Sequence, residues 1–328
     1  MKKRVLLTGA TGFVGAHVLK AILDNTDWET VCPISAFKNG QNRLEWAIGS
    51  RSSRVKTLVH DLTHPITEYI SSEFGPIDYV INLASQSHVD VGIKKPTETI
   101  MNNVAIVCNL LDWAKTANIE KFIQCSTDEV YGPDTGSPHT EQDRHFPSNP
   151  YSASKAAQEN ISFSYWRTYN VPLATTNMVN VVGPLQDTEK FTPLVIKKIL
   201  NNEEVTIHTS NGKVATRTYV YVENVASALL HLLSLDFNSP LTSVEPSKWH
   251  IGADGKYSNL DWAELIATFA GRDLNYKLED GNISRPGYDD SYSLDGSKLL
   301  SSGWTPAYTL ENSLEKTVNW YLENPEWL

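Results

Sequence analysis

The 328-residue sequence predicts an α/β fold, a doubly wound parallel sheet with a smaller second domain behind it. Three observations predict it. Short β-rich runs alternate with longer helical patterns through the first half. A glycine-rich turn joins the first such run to the first helix. Beyond about residue 179 the pattern shifts to shorter elements punctuated by Pro184, Pro193, Pro240, Pro246, Pro286 and Pro306.

The candidate strands of the first half are 5–8, 30–34, 55–60, 79–82 and 122–125. Helical stretches at 14–24, 98–116 and 151–169 lie between and after them, followed by a further strand-like run at 172–177. These runs lack clean alternation, as expected of strands buried on both faces. In the second half, Asn211-Gly212 separates β-like runs at 205–208 and 218–222 and reads as a tight turn between them. The boundary is set at 1–178 and 179–328, the second part interleaved with the end of the first.

Hydrophobic residues make up 41% and charged residues 20%, ordinary values for a globular protein. A net charge of -10 argues against a nucleic-acid binder, which needs a basic face to displace counterions. Cys32, Cys108 and Cys125 are scattered without metal-ligand or disulfide spacing, so they read as reduced thiols and no metal is expected. No apolar run approaches membrane-spanning length, and the three apolar residues after Arg4 cannot form a signal-peptide core. The expectation is a cytoplasmic protein.

Thr8-Gly9-Ala10-Thr11-Gly12-Phe13-Val14-Gly15 follows the first strand and opens the first helix. Glycines at 9, 12 and 15 let the backbone turn sharply, approach a pyrophosphate and pack the helix on the sheet. Amides at the helix start then face the phosphates, where the helix dipole favours negative charge. The competing reading is a purely structural turn, and the strand-turn-helix context favours the dinucleotide.

Tyr151-Ser152-Ala153-Ser154-Lys155 places a tyrosine and a lysine four residues apart on one helix face. A nearby ammonium favours the phenolate and makes the tyrosine a usable base. Alone, such spacing is often a surface pair. It gains weight from Thr127-Asp128-Glu129 just after the fifth strand, where a doubly wound sheet presents its active-site loops. Two adjacent carboxyl groups suit a solvated loop or helix cap. They also suit an acid and a base acting on neighbouring carbons of one substrate.

These motifs resemble those of the extended short-chain dehydrogenases, and within them the dTDP-glucose 4,6-dehydratase group. Ser87-His88-Val89-Asp90, the run from Ser126 to Gly132, Asn149 to Ala156, Val182-Gly183-Pro184, Glu189 to Pro193, Arg285-Pro286-Gly287 and Thr317 to Tyr321 carry the resemblance. It implies a Rossmann sheet, a C-terminal substrate-binding domain, and NAD as cofactor with NADP as rival. A nucleoside-diphosphate hexose is the implied substrate. Tyr151 with Lys155 and Thr127 would oxidise C4, Glu129 would take the C5 proton, and Asp128 would protonate the departing 6-hydroxyl. The cofactor set it implies is Gly9, Thr11, Gly12, Phe13, Val14, Gly15, Ser35, Asp61, Leu62, Leu83, Ala84, Ser85, Asn103, Tyr151, Lys155 and Asn180. The substrate set is Ser87, His88, Thr127, Asn180, Lys190, Arg217, His250, Arg285 and Tyr288.

The sequence departs from the family pattern at several of these positions. Ser35 stands where an acid usually grips the adenosine ribose, with Lys38 and Arg43 close enough in sequence to reach a 2′-phosphate. His250, Tyr288 and Ser291 depart from the nucleotide-pocket pattern. A sugar-nucleotide epimerase or 4-reductase, or a non-catalytic cofactor-binding regulator, are the competing readings. The resemblance also implies a homodimer through the helices at 98–116 and 151–169, where Ile106, Leu110, Trp113, Phe163 and Trp166 spread apolar surface over more than one face.

Overall fold

The computed structural model describes residues 2–35, 41–210, 212–252, 255–280 and 289–328. The chain begins β1 (Arg4–Thr8), α1 (Phe13–Asn25), β2 (Glu29–Ile34), α2 (Gln41–Ile48), β3 (Val55–Val59), α3 (Glu68–Phe74) and β4 (Tyr79–Asn82). It continues α4 (Val89–Lys94), α5 (Pro96–Ala114), β5 (Lys121–Thr127), α6 (Pro150–Tyr169), β6 (Leu173–Met178) and β7 (Asn180–Val182). Then come α7 (Phe191–Leu200), β8 (Val205–Ser210), β9 (Lys213–Val214), β10 (Thr216–Arg217), β11 (Tyr219–Tyr221) and α8 (Val222–Ser234). The last elements are β12 (Ser247–Ile251), β13 (Tyr257–Ser258), α9 (Asn259–Ala270), β14 (Tyr276–Asp280), α10 (Ser297–Ser301) and α11 (Leu310–Glu323).

Seven parallel strands form the central sheet in the order β12-β6-β5-β4-β1-β2-β3. The order reverses between β1 and β4, which opens a crevice at their carboxyl ends. The strands expected in the first half all lie in this sheet within a few residues of their observed ends. β12 was not foreseen as a strand: Ser247-Lys248-Trp249-His250-Ile251 has no apolar run, and only pairing with β6 buries it.

Apolar side chains of α1 and α8 cover one face of the sheet, and those of α3, α5 and α6 the other. A separate core joins α7, α9 and α11, with Tyr219 stacked on Trp262 at 3.9 Å between centroids. The turn expected at Asn211-Gly212 lies partly outside the described residues, and its strand partner differs from the one expected. β8 pairs with β9 through Ser210↔Lys213, whereas β11 joins β7 in parallel. A reversal this tight brings back the residues that follow immediately, and buried Tyr219–Tyr221 finds its partner elsewhere.

Ile106, Leu110, Trp113 and Trp166, expected to face a second copy, are buried within the single chain. Phe163 is half-buried against the same cluster. These side chains fill the space between α5, α6 and the sheet, so they give no support to a dimer. Among the described residues no helix is long and apolar enough to cross a membrane.

Candidate active site

Thr8 ends β1 with its hydroxyl turned across the crevice. It donates to Asn82 Oδ1 at 2.5 Å and accepts from the Leu83 and Ala84 amides at 3.2 and 3.1 Å. Gly9 has φ of +70°, and a Cβ there would lie 2.9 Å from the Leu83 carbonyl carbon. A Cβ on Gly15 would fall 2.0 Å from the Gly9 oxygen, so only glycine lets α1 approach the turn this closely. The first turn of α1 carries no side-chain cap and no acid. Thr11, Gly12, Phe13 and Val14 thus surround a backbone cradle with amides to spare, as a dinucleotide pyrophosphate requires.

The other expected cofactor residues divide. Ser35 is exposed at the end of β2. Asp61 accepts from the Thr63 amide and hydroxyl at 2.9 and 2.8 Å, bonds that hold its carboxyl below the usual range. Leu62 is buried, and its carbonyl accepts from Asn109. Leu83, Ala84 and Ser85 line the loop after β4. Asn103 is fully buried: Oδ1 accepts from the Gln86 amide and Nδ2 donates to Ser154 Oγ at 2.8 Å. It braces the loop after β4 from beneath. Arg43 is likewise committed, to the Leu185 carbonyl at 2.9 Å and Asp187 Oδ1 at 2.7 Å, which removes it as a partner for a 2′-phosphate. Lys38 lies outside the described residues.

Asn149 caps α6 and Pro150 occupies its first turn, which sets Tyr151 and Lys155 on the sheet side of the helix. Lys155 Nζ donates to the Cys125 carbonyl and to Gln158 Oε1, both at 2.7 Å. Burial brings it down to about 8. Tyr151 is buried one helical turn before it. Burial, then the charges of Glu129 and Asp128, push the phenol above its ordinary value, with a bond to Thr127 opposing.

Thr127 ends β5, and its hydroxyl donates to Asp128 Oδ1 at 3.0 Å. A single 3₁₀ turn carries Asp128 and Glu129 inward. Asp128 is 3% exposed, and burial followed by the neighbouring Glu129 charge raises it to about 7. Burial also raises Glu129, against the Asn149 amide (Nδ2 to Oε2, 3.2 Å) and the charges of Arg217 and Lys190. Asn149, part of the stretch that carries the resemblance, thus also holds Glu129. Asp289 was missed altogether. It is tied to Ser148 and Tyr292, and its charge raises Glu129 further.

A carboxyl raised from 3.8 to about 7 keeps its proton in the folded state where the unfolded chain has lost it. Folding stability therefore falls as pH climbs through that window. Asp128→Asn should raise the melting temperature at pH 7.5 by a few degrees, with the gain shrinking toward pH 4 in a thermal scan.

On the rim, Lys190 Nζ reaches the Ser87 carbonyl at 3.3 Å, and His88 Nδ1 meets Glu189 Oε1 at 2.6 Å. Asn180 donates to the Thr218 carbonyl at 3.3 Å. Arg217 stacks on Tyr292 at 4.9 Å and donates to the carbonyls of Thr216, Asp289 and Asp290. Arg285 and Tyr288 lie outside the described residues. His250, expected in the substrate set, is 0% exposed, and its Nε2 lies 2.7 Å from the Tyr131 hydroxyl. Pairing of β12 with β6 carries it into the interior.

A dinucleotide cradle at the switch point, with a buried tyrosine and lysine beside it, defines a nicotinamide-dependent enzyme of the short-chain dehydrogenase type. The model of the NAD dependent epimerase/dehydratase family matches residues 5–242, and the chain belongs to that family. Low-salt glycan biosynthesis protein Agl12 of Haloferax volcanii is 33% identical, covering 98% of this chain and 99% of that protein. dTDP-glucose 4,6-dehydratase 1 of Escherichia coli is 31% identical over 99% of this chain and 94% of its own. The crystal structure of DesIV, a dTDP-glucose 4,6-dehydratase of Streptomyces venezuelae with NAD bound, superposes with a TM-score of 0.87 at 26% identity, covering 99% and 98% of the chains. A UDP-glucose 4-epimerase of Thermus thermophilus in complex with NAD gives 0.84 at 25%, covering 97% and 99%. NAD is the cofactor of the family.

Proposed function

We infer that the chain is a nucleoside-diphosphate-hexose 4,6-dehydratase, with dTDP-glucose the first substrate to try and UDP- or CDP-glucose next. The observation that carries this reading is the pair Asp128 and Glu129, a buried and a half-buried carboxyl directly after Thr127, whose charges both act on Tyr151. An oxidation at C4 alone needs neither. Elimination of water across C5 and C6 needs both a base and an acid.

Glycines 9, 12 and 15 and the start of α1 would hold the dinucleotide. When bound there, NAD would supply a reversible hydride acceptor for the oxidation at C4 and the reduction at C6. Tyr151 takes the proton of the 4-hydroxyl; Lys155 is the nearby cation that works against the upward push of burial, Glu129 and Asp128 on its phenol, and Thr127 orients the alcohol. Glu129, steadied by Asn149, takes the C5 proton that the new ketone has acidified. Asp128 gives its proton to the leaving 6-hydroxyl. Its value near 7 lets it hold that proton at neutral pH, where an ordinary aspartate could not. Lys190, Asn180 and Arg217 would receive the diphosphate.

Mass spectrometry after incubation with a panel of nucleotide-hexoses tests the reading. A product lighter by one water supports it. An isomer of unchanged mass establishes the epimerase alternative, in which the carboxyl pair is a bystander. The elimination rate should also fall by about tenfold per pH unit above roughly pH 7, as Asp128 loses the proton it must donate.

A further inference from the structure

Tyr151 and Lys155 continue along the same face of α6 to Glu159, four residues further on. Glu159 is 0% exposed. A carboxyl so placed is costly unless its oxygens are paired. Its Oε1 accepts from Asn177 Nδ2 at 2.6 Å, and the same amide donates to the Thr127 carbonyl at 3.1 Å. Its Oε2 faces Lys248 Nζ at 3.2 Å and His145 Nε2 at 3.3 Å. Three segments therefore converge on one buried charge: β6 through Asn177, β12 through Lys248, and the stretch before α6 through His145.

We propose that Glu159 is a positioning residue of the active site, bracing the Thr127–Glu129 turn through Asn177 and giving Lys155 a buried counter-charge one helical turn away. Burial would raise a lone carboxyl here. The His145 bond and the Lys248 charge instead hold Glu159 down to about 2, so it is ionised throughout the working range. Lys155 is lowered by burial, and the Cys125 thiol on β5 and Glu159 oppose that loss. Around Glu159 the remaining charged or titratable neighbours are Tyr131 and His250, the latter pressed down by burial and by Lys248. Lys248 also lies 4.6 Å from the centroid of the Tyr131 ring. The cluster thus ties the turn that carries Asp128 and Glu129 to the helix that carries Tyr151 and Lys155.

The inference rests on the proposed function in taking dTDP-glucose as substrate and Tyr151 and Lys155 as the oxidising pair, a step that dehydratase and epimerase share. Reduced-nicotinamide absorbance on mixing with dTDP-glucose therefore reads it whichever product the native enzyme makes. The product mass from native enzyme judges the dehydratase reading separately. Glu159→Gln keeps the acceptor for Asn177 but loses the charge. Its hydride-transfer rate should fall roughly tenfold to a hundredfold at pH 7 with KM little changed. The pH at which Lys155 loses its proton should drop by about one unit. Glu159→Asp should recover much of the rate and the native pH profile.

Because Glu159→Gln strands the Lys248 ammonium, the double variant Glu159→Gln/Lys248→Met is run beside it. A return of native rate and pH profile in the double variant overturns the proposal, since Glu159 would then serve only to neutralise Lys248. A native profile in Glu159→Gln with only a lower melting point overturns it too. Thermal unfolding of the purified holoenzyme reads the charge coupling without substrate. The deficit of Glu159→Gln should narrow from pH 7 to pH 9, because Lys155 sheds its proton and the lost attraction matters less. A deficit constant across that range counts against the counter-charge.

Discussion

Glu129→Gln should oxidise its substrate and then stop. The amide keeps the shape of the carboxylate but cannot take the C5 proton. Loss of a general base of this kind costs roughly a hundredfold to ten-thousandfold in rate. The variant should accumulate reduced-nicotinamide absorbance in a single turnover and fail to exchange the C5 hydrogen with deuterated solvent. Asn149 donates to Glu129 through Nδ2, so the glutamine side chain must present its oxygen there to keep the bond. Dehydration at the native rate in Glu129→Gln would remove the dehydratase assignment and put the epimerase or reductase in its place.

Tyr151→Phe should fail one step earlier. Among the described residues, Tyr151 is the proposed base for the 4-hydroxyl, and its loss should leave the bound nicotinamide almost entirely oxidised after substrate is added. The expected fall is again roughly a hundredfold or more. Because the ring itself is buried and retained, substrate binding and melting temperature should change little. The two variants separate the chemistry: one accumulates reduced cofactor, the other none. Equal absorbance traces from both would mean that the roles given to Tyr151 and Glu129 are wrong.

The glycine turn was legible in the sequence because its constraint is local. Gly9 and Gly15 sit where a Cβ would strike backbone a few residues away or on the next strand, and that leaves a spacing any reader can see. The same holds for Tyr151 and Lys155, whose separation is one turn of helix, and for Asp128 and Glu129, which are adjacent. The parallel strands were legible too, since runs buried on both faces are apolar without alternation.

Other features depended on residues far apart in the chain. His250 stood in a motif position that suggested a ligand contact, yet β12 pairs with β6 and takes the imidazole to the Tyr131 hydroxyl. Asp289 reaches the neighbourhood of Glu129 from 160 residues downstream, so no local pattern announced it. The acidity of Tyr151 could not be read from its distance to Lys155 in sequence. It depends on burial and on the charges of Glu129 and Asp128, which the fold sets around the hydroxyl.

By itself, then, the sequence determined the α/β class and the dinucleotide turn and brought forward the proposed acid, base and tyrosine, because each is encoded within one strand, one turn or one helix. Tertiary structure alone decided that β12 joins the central sheet, that Arg43 is held by Asp187, and that Asp128 keeps a proton near neutrality. It also decided that Glu159 lies buried between His145 and Lys248 beneath the catalytic turn. Burial and long-range charge set those properties, and both depend on which distant segments the fold brings within a few ångströms.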